Sequence, residues 1–321
     1  MSFTVSKSSN TIGIICAITA GVCFSTTDVT IKFLSDAYAL HQIILLRSII
    51  GMLIILMLLM AGSSGLKTLK TKRLAKHLVR GGSVVLANML FFLGLVAMPL
   101  ADAVALFFIS PSIITLFSII FLKEYVGPHR WFAIGLGFAG VLIMVQPGSS
   151  QFMFASLLPI GAAVCYAILH TLTRTMRDTE SAATMTFYIQ VTFVVVSTAM
   201  WVVVGDGEFN NPSNPSLNFL LRPWSPLEHG DFKLFMLLGF ASTIGGYLIS
   251  QAYRHAEAAL AAPFEYISLP LAMFWGVVIF DEWPDNITLI GSSLILISGL
   301  YTLYRETRHP HKPQMARAHQ R

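Results

Sequence analysis

Apolar residues run almost unbroken along most of this chain, in stretches of about 20 that polar breaks separate. A stretch of that length matches a helix across hydrocarbon at about 1.5 Å per residue. Backbone groups in lipid must bond within their own segment, and none of these stretches alternates apolar and polar as a barrel strand would. The pattern therefore predicts an all-α polytopic membrane protein with ten transmembrane helices. They are placed at 11–34, 41–61, 74–97, 101–121, 129–146, 152–174, 182–204, 232–255, 258–280 and 287–304. The first run is longer than the apolar core of a cleavable signal, so it reads as a retained helix.

The pattern repeats. V-C-F-S-T-T-D-V-T-I-K-F-L-S-D at 22–36 returns as V-C-Y-A-I-L-H-T-L-T-R-T-M-R-D at 164–178. With the offset 164 − 22 = 142, Phe24, Asp28 and Lys32 match Tyr166, His170 and Arg174. Further on, F-L-K-E-Y at 121–125 resembles I-F-D-E-W at 279–283, with Glu124 and Glu282 offset by 282 − 124 = 158. The difference, 158 − 142 = 16, is an insertion in the second copy. The polar loop 205–231, with Pro212, Pro215, Pro223 and Pro226, accounts for it. Each copy holds five helices, so the second enters the membrane from the other side, giving inverted repeats at 11–147 and 152–306 and a tail at 307–321.

Composition agrees. The 321 residues are 55% hydrophobic and 12% charged, about half the charged share of a soluble domain. The net charge of +5 does not point to nucleic acid, because the cations sit between apolar runs. Lys67, Lys70, Lys72, Arg73 and Lys76, then Lys123 and Arg130, Arg174 and Arg177, Arg254 and the tail cations fall on one side. The positive-inside rule makes that side, and both termini, cytoplasmic. Cys16, Cys23 and Cys165 lie in apolar runs and imply no disulfide.

Charges inside such spans are costly and mark candidate sites. Asp28 and Lys32 are four apart on one helical face, either as a structural ion pair or as a cavity-facing pair that binds cargo or a proton. His170 holds the matched place in the second copy. Arg47 is a counter-ion for Asp28 or a seat for a carboxylate of the cargo. Glu265, between Pro263 and Pro270, is either a proton-coupling group or a structural partner of Arg47. Phe24 and Tyr166 are matched aromatics that would stack on a flat ring, facing each other across a central cavity. Asn88, Gln251 and Tyr266 are further wall candidates, with Tyr188, Tyr247 and Trp275. Gly81, Gly82, Gly135, Gly137, Gly140, Gly245, Gly246 and Gly291 read as helix-packing positions. Glu124 and Glu282 read as structural groups at helix ends. His309, His311 and His319 read as part of a solvated tail, and no metal site or cofactor is expected. No Walker sequence, H-E-x-x-H or G-x-S-x-G occurs, so an intramembrane enzyme or a non-transporting scaffold is the lesser reading.

The paired five-helix repeats, the glutamates at the ends of the fourth and ninth spans and the glycine-bearing helices after them resemble the EamA family of the drug/metabolite transporter superfamily. T-D-V-T-I-K-F-L, L-R-S, A-P-F-E-Y and F-D-E-W-P-D resemble the branch of S-adenosylmethionine uptake transporters, which lies near riboflavin importers. Branch members often carry a cation where this chain has Phe264. The resemblance implies a secondary transporter of a small polar metabolite, with S-adenosylmethionine-like uptake first, and riboflavin import or amino-acid or drug export as alternatives. The expected partners are a small-molecule substrate, the lipid bilayer, protons or an exchanged metabolite, and a second copy in a homodimer.

The charge bias generates a direct test. A reporter fused after Arg317 should read as cytoplasmic and one inserted at 210–226 as periplasmic; both on one side would overturn the ten-helix topology.

Overall fold

The computed structural model describes residues 7–61, 69–122, 127–150, 152–176, 179–255 and 262–308. The helices are α1 (Lys7–Leu34), α2 (Leu40–Ala61), α3 (Leu74–Leu95), α4 (Leu100–Phe107), α5 (Ser110–Leu122) and α6 (Pro128–Val145) in the first half. The second half has α7 (Leu157–Met176), α8 (Ala182–Val204), α9 (Pro215–Leu221), α10 (Phe232–His255), α11 (Ser268–Phe280) and α12 (Asn286–Arg308). Among the described residues, eight helical spans are long and apolar enough to cross a membrane. Two shorter apolar helices, Glu265–Phe280 and Asn286–Thr302, complete ten passes. The even count puts Lys7 and Arg308 at one end of the bundle, here the terminal end.

Two spans are not continuous helices. The fourth is split into α4 and α5 at Phe108 and Ile109. Pro111 is one cause: it has no N–H to give to the carbonyl four residues back, that of Phe107. The ninth is entered by a 3-10 turn, Ala262–Ile267, before α11 begins. The breaks are repeat mates: α5 starts at Ser110 and α11 at Ser268, so 268 − 110 = 158, and both run 13 residues. The start of the sixth span also departs from the expectation at 152–174, since a 3-10 turn, Phe154–Ser156, precedes α7.

Helix packing obeys the same two-fold relation. α1 packs on α10 as α7 packs on α3, and α2 meets α8 while α6 meets α12. α10 touches α2 as α3 touches α8, and α1 touches the 3-10 turn of the ninth span as α7 touches α4. Lipid gives no hydrophobic drive between helices, so close approach depends on small residues. A Cβ on Gly140 would come within 2.7 Å of the Gly291 carbonyl oxygen, across the α6–α12 contact. Gly81 lies against Thr192 of α8, and Gly245 against Cys23 and Phe24 of α1. Gly82, Gly135 and Gly246 do not serve this purpose, because a Cβ on any of them would meet nothing within 4 Å. Outward positions such as Leu53, Met57, Phe132 and Val202 expose apolar surface, as a lipid-facing wall requires.

The loop 205–231 is folded rather than merely polar. Asn214 caps α9, its side chain accepting from Leu217 N–H at 3.1 Å. Phe219 is buried, and Ser216 donates to the Leu93 carbonyl at 2.7 Å. Gln42 donates to the Ser225 carbonyl, and Arg222 to the Asp36 carbonyl, both at 2.7 Å. Tyr38 donates to Asp231 at 2.7 Å, and burial raises its phenol above the ordinary value, keeping it protonated. The result is a cap over the end of the bundle away from the termini. Glu124, Lys67, Lys123, Arg177, His309, His311 and His319 lie outside the described residues.

Gly140→Leu should force α6 and α12 apart and lower stability by about 1–3 kcal/mol, read as a fall in Tm of the detergent-solubilised protein. Gly135→Leu, with nothing within 4 Å, should leave Tm unchanged; equal falls would show that the contact is not packed as described.

Candidate substrate site

The two helix breaks face each other. Phe108 and Tyr266 lie 5.0 Å apart between ring centroids, and they are repeat mates, 266 − 108 = 158. Mates in contact mark the pseudo-two-fold axis. Around them, Phe107 packs edge-on against Tyr166 at 5.2 Å, and Tyr166 packs edge-on against His170 at 4.3 Å. Glu265 is close enough to act electrostatically on both Tyr166 and Tyr266. Phe107 also meets Phe91 at 5.2 Å, and Phe91 meets Phe92 at 5.4 Å. An aromatic seam therefore runs from the axis into α3.

Arg47 stands at the other end of this seam. It is 5% exposed, its guanidinium lying over Phe193 at 5.0 Å and Phe92 at 5.9 Å. It donates to Asn88 Oδ1 at 3.3 Å, and Asn88 in turn donates to the Val84 carbonyl at 3.2 Å, which fixes the amide's orientation. Arg47 and Asp28 interact electrostatically without an ion pair at 4 Å. Their helices are not packed side by side; α10 lies against both. Counted from the helix ends away from the termini, Asp28, Arg47, Asn88, Phe107 and Tyr166 all lie about 9–14 Å in, at about 1.5 Å per residue. They form one layer.

Lys32 does not pair with Asp28. Its ammonium donates to Glu282 at 2.6 Å and to the Met98 carbonyl at 2.8 Å. Glu282 uses its second oxygen to accept from Leu100 N–H at 2.8 Å, capping α4. It reaches that place because Asp281 adopts a left-handed conformation, φ 55°, which ends α11 and turns the chain back. Asp102, one turn into α4, accepts from Thr288 of α12 at 2.7 Å. Lys32 is thus committed to a junction between the halves, and the structural reading of Glu282 is the one its contacts support.

The other sequence candidates separate. Phe24 lies against Gly245 of α10, not against Tyr166. Gln251 donates to Tyr247 at 2.7 Å on α10, near where Ala252 packs on Ala17 toward the terminal end. Phe24 of α1 is therefore turned toward α10, while Tyr166 of α7 meets Phe107 of α4 and lies with His170, Glu265 and Tyr266 near the axis. Glu265 is not the counter-charge of Arg47 in the ion pairs described; Asp28 is the carboxylate that acts on it. Phe107, Phe108, Phe92 and Phe193 were not among the sequence candidates. The first two were legible in the 158-residue offset that aligns them with Glu265 and Tyr266; the other two carried no signal beyond being apolar.

A second polar cluster closes the terminal end. His77 stacks on Tyr188 at 4.3 Å and lies 3.5 Å from Glu180, to which Thr71 donates at 2.6 Å. Arg80 donates to Thr173 at 2.8 Å and to the Met185 carbonyl at 3.0 Å. Tyr188, a wall candidate from the sequence, belongs to this cluster.

Comparison with known proteins gives a family and a set of relatives. The model of the EamA-like transporter family matches residues 11–146 and again 153–304. A riboflavin transporter of Rhizobium johnstonii is 28% identical, over 97% of this chain and 97% of its own. An S-adenosylmethionine uptake transporter of Rickettsia bellii is 25% identical, over 89% of this chain and 91% of its own. A pseudopaline exporter of Pseudomonas aeruginosa is 27% identical, over 89% and 94%. A crystal structure 18% identical superposes with a TM-score of 0.67 over 95% of this chain and all of that one, which shows a shared fold.

Glu282→Ala should remove the cap of α4 and strand the Lys32 ammonium, lowering stability by about 3 kcal/mol in a reversible unfolding assay. The pair Lys32→Met with Glu282→Gln should regain most of that loss, since no charge is left alone. A double variant as unstable as the single one would show that the ion pair is not what Glu282 contributes.

Proposed function

Because this chain belongs to the EamA-like transporter family, we propose that it is a secondary carrier that takes a small metabolite with a flat heteroaromatic ring across the inner membrane into the cytoplasm, both termini being cytoplasmic. The contact of the repeat mates Phe108 and Tyr266 carries this reading. Two interrupted spans with aromatic faces, one of them carrying Glu265, meet there, at the axis about which inverted halves rock. Tyr166 and His170 add a ring edge and a polar group from α7. Such a seat stacks a flat ring and addresses its substituents. Riboflavin and S-adenosylmethionine, which the relatives are named for, both carry a flat heteroaromatic ring.

Uptake into proteoliposomes is the test, with tritiated riboflavin and tritiated S-adenosylmethionine offered separately. The wild type should accumulate one of them. Tyr166→Ala should weaken its apparent affinity about tenfold, equivalent to about 1.4 kcal/mol of stacking. Phe154→Ala, at a ring that is 80% exposed, should have no effect. Transport of neither compound, or equal effects of the two substitutions, would overturn the reading.

A further inference from the structure

Asp28 and Arg47 are opposite charges in one interior layer, yet the protein leaves each largely unmet. Among the described residues Asp28 accepts no hydrogen bond. The cation one turn along its own helix, Lys32, is held by Glu282. Arg47 has five N–H donors and gives one bond, to Asn88 at 3.3 Å. A structural ion pair would bring the two groups within 4 Å, and a span that needed neither charge would carry apolar residues, since charges inside a span are costly.

The guanidinium is nevertheless held in place. Phe92 and Phe193 lie against it, and Asn88 is itself fixed by its bond to the Val84 carbonyl. Aromatic faces stabilise a cation without consuming its N–H donors. The remaining donors suit a planar anion approached in bidentate fashion. Asp28 lies at the same depth on α1 and acts on Arg47, and the aromatic seam begins at Phe92 against the guanidinium.

We propose that Asp28 and Arg47 form a split charge clamp for an amphoteric cargo, whose anionic group binds Arg47 and whose cationic group binds Asp28 while its ring lies along the aromatic seam. This rests on the carrier reading above and narrows it. A carboxylate replaces the missing acceptor of Arg47, and an ammonium replaces the missing counter-charge of Asp28. The carboxylate and the ammonium of the cargo then cross neutralised by the site. A neutral ring compound satisfies neither group.

The test uses the purified full chain and measures binding of S-adenosylmethionine, its carboxamide analogue, its deaminated analogue, tryptophan and riboflavin. The wild type should bind at least one of the two amphoteric compounds more tightly than riboflavin. Taking that compound and its two analogues, one without the carboxylate and one without the ammonium, Arg47→Gln should weaken the parent at least tenfold but leave the carboxamide unchanged. Asp28→Asn should weaken the parent likewise but leave the deaminated form unchanged. Arg47→Lys and Asp28→Glu, which keep the charge, should recover part of the affinity and guard against a loss that reflects misfolding alone. Equal weakening of parent and analogues would overturn the clamp. Riboflavin bound more tightly than either amphoteric compound, and carried alike by wild type and both variants, would overturn it too, while leaving the carrier reading intact. A wild type that binds none of the five would sink both.

Discussion

In hydrocarbon no water is available to a free backbone group, so an unbroken helix is the default for a crossing chain. The structure departs from that default twice, at places the repeat makes equivalent. At these places Phe108 of one copy meets Tyr266 of the other, and Ile109, Ser110, Tyr266 and Ser268 are buried. The rest of the bundle follows. Glycine and hydroxyl side chains let the outer helices close up, and the paired contacts α1–α10 and α3–α7 flank the two breaks from opposite sides.

Charge is distributed by the same logic. At the end away from the termini, Lys32, Glu282 and the N-terminus of α4 form a junction in which the ammonium and the carboxylate each find partners. At the terminal end, Glu180 and Arg80 meet hydroxyls, a carbonyl and a stacked histidine. Between these satisfied ends lies a layer in which Asp28 and Arg47 do not satisfy each other. A membrane protein that conceals its charges well at both ends leaves two exposed to one another in the middle, and that contrast, more than the presence of charge, singles out the layer.

Much of this was legible in sequence, because the strongest signals were periodic. Ten apolar runs and two offsets gave the helix count and the inversion. The offset of 158 even held the meeting of Phe108 with Tyr266, since mates near the axis must come close. What escaped was set by side-chain reach and by irregular backbone. Spacing of four put Lys32 beside Asp28, but a lysine stem extends toward the helix end, where the left-handed turn at Asp281 brings Glu282 to it. Matching Phe24 to Tyr166 was sound, yet a match in sequence fixes only a relation by rotation, and Phe24 turns to α10 while Tyr166 meets Phe107 of α4. Proline content marked 205–231 as a loop; it could not reveal that Phe219 would bury itself and make a cap.

That cap has a thermodynamic consequence. Two halves related by a two-fold axis, if identical, would make the two end states of a rocking motion equal in free energy. The insertion that folds into α9 exists in one copy only, and its bonds to the α1–α2 turn, to α2 and to α3 belong to one end of the bundle. Each bond that forms in one end state and not in the other is worth about 0.5–1.5 kcal/mol net. One or two of them tilt the resting populations about tenfold, since that ratio corresponds to about 1.4 kcal/mol. The duplicated core alone would be a balance with equal arms, and the cap is the one folded element that breaks the equality.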